Sequence, residues 1–217
     1  MHSDSVASRI EETGIVGIVR GASADVVIEV VDALRRGGVD VVEITADTDG
    51  VADLLADVAA SFGDEVTLGA GTVLDAPTAR AVLMNGASFV VTPTVNPAVI
   101  ETANRYGAPS LPGAYTPTEA IEAYEAGADA VKVFPTSTGG PDHVRAIRGP
   151  LPQVPLVPTG GVSTADAAAY FEAGATALGV GSSLVDLEAA ERGDYGTITA
   201  NAETFRRIAD ERSGSRG

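Results

Sequence analysis

Of the 14 basic residues in this chain, Lys132 is the one lysine and every other is Arg. It stands in Ala130-Val131-Lys132-Val133-Phe134-Pro135, an apolar run that reads as a buried strand. The two residue types differ in chemistry. A guanidinium keeps its proton in any protein environment, whereas an ammonium drawn out of water sheds its proton and becomes a nucleophile. Burying an amine without a use is costly, so the run points to imine formation with a carbonyl substrate. An ion-paired or snorkelling lysine at a strand end is the alternative that this stretch alone leaves open.

Composition removes most other chemistries. The chain has no Cys, hence no disulfide, no thiolate and no Cys-based metal site, and with His2 and His143 as its two histidines a His-rich metal centre is excluded as well. Lys, carboxylates, hydroxyls and backbone remain. With 30 acidic residues and a net charge of -16, the surface repels nucleic-acid phosphates and anionic membranes. Such an excess of acid, with Arg in place of Lys, suggests a protein kept soluble in concentrated salt; an ordinarily acidic cytosolic enzyme is the alternative. The polar start Met1-His2-Ser3-Asp4-Ser5 holds no signal-peptide core, and no apolar run reaches about 18 residues, so the expectation is a cytoplasmic, soluble protein.

The elements that must position Lys132 follow from alternating patterns. Short apolar runs lie at Gly14 to Arg20, Val39 to Thr45, Val66 to Val73, Ser88 to Pro93, Ala108 to Gly113, Ala130 to Pro135, Pro155 to Gly161 and Ala177 to Ser183. Between them lie amphipathic stretches such as Ala24 to Arg36, Val51 to Phe62, Asn96 to Tyr106 and Thr116 to Ala126. Repeated βα units in a chain of 217 residues predict an α/β protein: one (β/α)8 TIM barrel, a single domain over residues 1–217. Ser3 to Glu12 is expected as a lead-in helix, Ala200 to Arg212 as a closing helix, and Ser213 to Gly217 as a frayed tail. A doubly wound open sheet would need a dinucleotide fingerprint, and Gly69-Ala70-Gly71-Thr72-Val73 lacks its third Gly.

A weak repeat sharpens the geometry. Gly38 to Glu43, Gly86 to Val91, Gly127 to Lys132 and Gly174 to Gly179 each pass from a helix end through Gly into a strand. Side chains alternate faces along a strand, and barrel tiers are built by alternate strands, so equal offsets share a tier. That places Glu43, Val91, Lys132 and Gly179 on one inward tier, with Gly179 leaving room beside the amine and the carboxyl. Thr45, Pro93, Phe134 and Gly181 then lie one tier nearer the C-terminal mouth. An opposite pair in a barrel interior suits proton transfer, while a core salt bridge between Glu43 and Lys132 is the other reading.

Near the end of the chain, Pro158-Thr159-Gly160-Gly161-Val162-Ser163 passes from a strand towards a helix start expected near Thr164. Its bare N–H groups can cradle a phosphate, and Gly179-Val180-Gly181-Ser182-Ser183 ends the last run similarly. The Thr72 hydroxyl can hold a carboxylate, and Arg20, in Gly17-Ile18-Val19-Arg20-Gly21, can face an anionic ligand or merely a surface acid.

Taken together, Gly17 to Gly21, Val42-Glu43-Ile44-Thr45, Gly69 to Leu74, Val91-Thr92-Pro93, Leu111-Pro112-Gly113, Val131 to Pro135, Pro158 to Val162 and Gly181-Ser182 resemble the 2-keto-3-deoxy-6-phosphogluconate (KDPG) aldolase family. The resemblance implies a class I aldolase barrel, usually a homotrimer, that needs no metal or cofactor and splits KDPG into pyruvate and glyceraldehyde 3-phosphate. It further implies Lys132 as the imine-forming residue and Glu43 as the acid/base that moves protons through a water. Thr72 would hold the carboxylate end, Pro93 and Phe134 would shape the pyruvate pocket, and Thr159, Gly160, Gly161, Gly181 and Ser182 would take the distal phosphate. Asp47 departs from the pattern, because relatives that prefer KDPG commonly carry Arg there. The start Ile18-Val19-Arg20-Gly21 instead resembles the branch that cleaves the galactonate epimer, and Arg20 can replace part of the missing charge. A dicarboxylate such as 4-hydroxy-2-oxoglutarate is a further candidate substrate. A phosphosugar isomerase or epimerase on the same barrel, and a non-catalytic phosphoanion binder, are the readings from other classes.

Overall fold

The computed structural model describes residues 3–214. In chain order the elements are α1 (Ser3–Thr13), β1 (Ile15–Val19), α2 (Ala24–Arg36), β2 (Val41–Thr45), α3 (Val51–Phe62), β3 (Thr67–Gly71), α4 (Ala76–Met84), β4 (Phe89–Val91) and α5 (Pro97–Arg105). They continue with β5 (Ser110–Leu111), β6 (Gly113–Ala114), α6 (Pro117–Glu125), β7 (Val131–Val133), α7 (Gly140–Arg148), β8 (Leu156–Pro158), α8 (Ala167–Glu172), β9 (Leu178–Val180), α9 (Leu187–Glu191) and α10 (Tyr195–Gly214). Every predicted apolar run holds a strand. The tail expected from Ser213 is helical as far as Gly214, and the remainder of it lies outside the described residues.

All the strand pairings are parallel, giving a parallel-stranded α/β fold with a curled sheet. The single ring of eight strands expected from the sequence is met instead as two sheets, one ordered β5-β4-β3-β2-β1-β9 and one ordered β6-β7-β8. Pro112 separates β5 from β6: it has no N–H to give to a ladder, though its carbonyl still accepts from Lys132 N at 2.9 Å. Between β8 and β9 the contact is thin, a lone parallel bridge between Thr159 and Gly179 with Thr176 N donating to Leu156 O at 2.8 Å.

Side chains of β2 show how the strands divide the interior. Val42 and Ile44 join the outer core beneath the helices, whereas Val41 belongs to an inner cluster with Val16, Phe89, Val91, Leu111 and Val157. Val6 and Ile10 of α1 complete that inner cluster, so the lead-in helix covers the end from which the strands start. The inner cluster is apolar there, which leaves the opposite, C-terminal strand ends for polar work. α2 shows the outer packing: Val27, Val30, Val31, Ala33 and Leu34 form its buried stripe at helical spacing. Each such Val or Leu contributes about 1.5–3 kcal/mol of hydrophobic free energy.

Loops leaving the C-terminal strand ends are fixed by helix caps. Asp75 accepts from Thr78 N, Asn96 from Ala98 N, and Thr116 forms a reciprocal capping box with Glu119, each followed by Pro in the first turn. Among the described residues no helix is long and apolar enough to cross a membrane, and no cluster of His, Cys, Asp or Glu has metal-ligand spacing.

Candidate active site

The C-terminal strand ends surround an open cavity of about 700 Å³. β1 contributes Ile18 and the following Arg20, β2 contributes Glu43, and β7 contributes Lys132 with Phe134 just beyond it. Thr159, Gly160, Gly161 and Val162 follow β8; Gly181 and Ser182 follow β9. Thus the predicted site residues meet in one place, with the exception of Thr72 and Pro93, which do not line this cavity. The Pro93 carbonyl instead packs against Gly113, where a Cβ would lie 2.4 Å from the Pro93 carbonyl carbon.

Lys132 and Glu43 are 5% and 2% exposed, which is the burial their strands impose. They share the cavity without forming an ion pair, so the core salt bridge considered from sequence is not what joins them. Lys132 Nζ lies 5.0 Å from the centroid of the Phe134 ring, within cation–π range. Glu43 Oε1 has no hydrogen-bonding partner among the described residues. Burial raises the Glu43 pKa above its ordinary 4.5, and the nearby charges of Lys132 and Arg20 oppose that rise. The carboxyl leans over Gly71 of β3, where a Cβ would come 2.6 Å from its carboxyl carbon. A carboxyl that holds its proton more readily than usual, beside an amine in a cavity open to ligand, is equipped for acid/base work.

Arg20 is held from two sides. Its Nη1 pairs with Asp47 at 3.1 Å and its Nη2 donates to Thr72 Oγ1 at 2.5 Å. Asp47 therefore orients a cation arriving from β1. Thr72 takes φ 54, a region that costs a β-branched residue conformational strain. Its hydroxyl oxygen accepts from Arg20, which leaves its O–H free to donate.

The glycine loop leads into a helix close to the expected place. The helix expected near Thr164 is regular from Ala167 (α8), after a turn in which Ala167 N donates to Ser163 O at 3.0 Å and Ser163 N and Oγ both donate to Asp166 Oδ1 at 2.7 and 2.9 Å. Gly160 and Gly161 have φ +83 and +108, and a Cβ on them would lie 2.8 Å from the Phe134 ring and 2.7 Å from Ser137 Cβ. Both requirements demand Gly. The space left by Gly179 is filled by the Thr159 side chain rather than lying open beside Lys132, and Thr159 Oγ1 donates to Val157 O at 3.2 Å. One wall was not anticipated: Val185, Asp186, Leu187 and Glu188 enclose the side next to Arg20. Five residues of helix are too few for a periodic signal, though Asp186, which accepts from Ala189 N at 2.9 Å, is a helix-start residue type.

An amine and a carboxyl buried at the C-terminal ends of parallel strands define an enzyme that works on a carbonyl compound. Comparison with known proteins gives the family. A family model described as "Aldolase: KDPG and KHG aldolase" matches residues 6–201, and the chain belongs to that family. It is 35% identical over 171 residues, 78% of this chain and 83% of the relative, to the 2-dehydro-3-deoxy-6-phosphogalactonate aldolase of Escherichia coli K12. Among solved structures, one described as native KDPGal superposes with a TM-score of 0.85 at 31% identity, covering 92% of this chain and 96% of that one. A KDPG aldolase from Legionella pneumophila, captured with pyruvate as a covalent carbinolamine, superposes with a TM-score of 0.83 at 26% identity, covering 91% and 96%.

Proposed function

We propose that the protein is a class I aldolase that cleaves KDPG to pyruvate and glyceraldehyde 3-phosphate. The observation that carries the reading is the buried Lys132 amine facing the same cavity as Glu43. The free-amine form of Lys132 adds to the C2 ketone, and loss of water gives an iminium. A base removes the C4 hydroxyl proton, the C3–C4 bond breaks, its electron pair flows to the iminium nitrogen, and the aldehyde leaves. The enamine takes a proton at C3 with Glu43 as acid/base, and hydrolysis releases pyruvate and the amine. Phe134 lies beside the amine, and the N–H groups of Gly160, Gly161 and Ser182 serve the phosphate. Arg20, positioned by Asp47 and Thr72, draws the anionic substrate.

The two sheets are arcs of one eight-stranded barrel. β5 and β6 act as halves of one strand interrupted at Pro112, and the Thr159 to Gly179 bridge joins the arcs on the other side. One domain over the whole chain, a homotrimer, a cytoplasmic setting and function in concentrated salt complete the proposal; the composition supports the last of these.

The galactonate epimer is the second reading, favoured by Asp47 binding Arg20 where a substrate-facing Arg would otherwise stand. Borohydride reduction in the presence of pyruvate, followed by mass spectrometry, tests the chemistry: a reduced pyruvyl adduct belongs on Lys132, and its absence rejects the aldolase. Pyruvate release from the two epimers and their unphosphorylated forms then separates the substrates. Equal rates with and without phosphate would remove the role given to the Gly160-Gly161 loop.

A further inference from the structure

Two buried polar atoms on β2 have no hydrogen-bonding partner among the described residues, Glu43 Oε1 and Thr45 Oγ1, on residues 2% and 0% exposed. Residues two apart on a strand face the same side, so Thr45 lies one step nearer the C-terminal mouth than Glu43 on the inner face. β3 brings the two together. Gly71 is the register partner of Thr45, and the place its Cβ would take lies 2.6 Å from the Glu43 carboxyl carbon. The carboxyl therefore leans along the barrel wall into the notch beside Thr45. A hydroxyl left permanently unpaired in such a place costs about 1–3 kcal/mol, so a buried, unpartnered Thr at this point calls for a ligand.

We propose that Thr45 is a positioning residue for the aldol reaction, its hydroxyl and Glu43 Oε1 together holding one water molecule beside the Gly71 notch. This rests on the aldolase reading above. The water carries the C3 proton: the Glu43 carboxyl gives its proton to the water as the water passes one of its own to C3 of the enamine. Carboxyl becomes carboxylate, enamine becomes iminium, and the reverse sequence removes the proton. Thr45 fixes the water and keeps the carboxyl in the notch. The charged groups facing Glu43 are Lys132 from β7 and Arg20 from the end of β1, the latter paired with Asp47; Gly71, Val91, Val157 and Gly179 on the other inner faces carry none.

The test uses the full chain and pyruvate, whose methyl protons exchange with deuterated solvent through the enamine. Thr45→Val keeps the shape and removes the hydroxyl. Borohydride trapping on Lys132 should stay within about two-fold, while methyl exchange falls about ten- to a hundred-fold. The Glu43 limb of its pH profile should move up, because a lost hydrogen bond destabilises the carboxylate. Thr45→Ser should restore both. Gly71→Ala, whose methyl would push the carboxyl out of the notch and away from the water, should mimic Thr45→Val. Unchanged exchange and pH profile in Thr45→Val overturns the proposal, and so does a parallel loss of trapping and exchange, which marks general damage. Absence of any adduct in the unaltered protein is a different failure, that of the aldolase reading itself.

Discussion

At the scale of single residues, Lys132 and Glu43 were legible because the physics acting on them is local. A lone lysine in an apolar run stands out by type, and strand alternation puts Glu43 on the same inner face. Replacing Lys132 by Met should leave the fold intact, as an apolar chain suits that burial, yet lower pyruvate release on the order of a thousand-fold or more. Retained turnover would show that no imine forms there. Glu43 gives a pH prediction. Its folded pKa is raised by burial above the ordinary 4.5, so the folded protein binds that proton more tightly than the unfolded chain does. The stability from this difference is complete below pH 4.5 and is lost as pH rises through the raised value. Glu43→Gln has no such proton to lose. Its melting temperature relative to the unaltered protein should therefore climb from acid to neutral pH, while turnover falls about a hundred-fold or more. A constant difference across pH would mean that the carboxyl is not penalised by burial.

At the scale of elements, the sequence carried strand and helix positions well and close approaches poorly. α2 and α3 match the predicted stretches because their apolar spacing is regular, whereas α9 is short and its wall of the cavity went unseen. The role of Gly179 could not be read either, since the side chain that needs its space, Thr159, comes from another strand. Glycine pairs mark a loop in sequence but not whether φ or contact forces the choice; at Gly161 both do. Gly161→Ala should therefore cost about 1–3 kcal/mol in denaturant unfolding and displace the loop. KM for a phosphorylated substrate should rise several-fold with that for pyruvate exchange unchanged. An equal rise for both would place the loop's influence on the reacting end of the ligand instead.

For the whole molecule, charge decides more than individual contacts. The surface ion pairs are short-range and exposed, such as Arg105 with Glu101 at 2.6 Å and Arg36 with Asp32 at 2.9 Å, and pairs of this kind contribute about 0–1 kcal/mol each. Against them stands a net charge of -16, which destabilises the compact state and repels an anionic ligand. The cavity edge sharpens the conflict: Asp186 and Glu188 line it, and Arg20 already faces Asp47. Salt acts on the long-range part first. Raising ionic strength from about 0.1 M to about 1 M shortens the screening length from about 10 Å to about 3 Å, which removes repulsion across the surface but spares contacts inside the cavity. Potassium chloride over that range should raise the melting temperature and lower KM for the phosphorylated substrate several-fold, with kcat within about two-fold and a smaller KM change for its unphosphorylated form. Glu188→Gln should flatten the KM dependence, because it removes one of the repelling charges from the rim. A KM that instead rises steadily with salt would mean that attraction by Arg20 outweighs the field of the surrounding acids, and the acidic surface would then owe nothing to ligand binding.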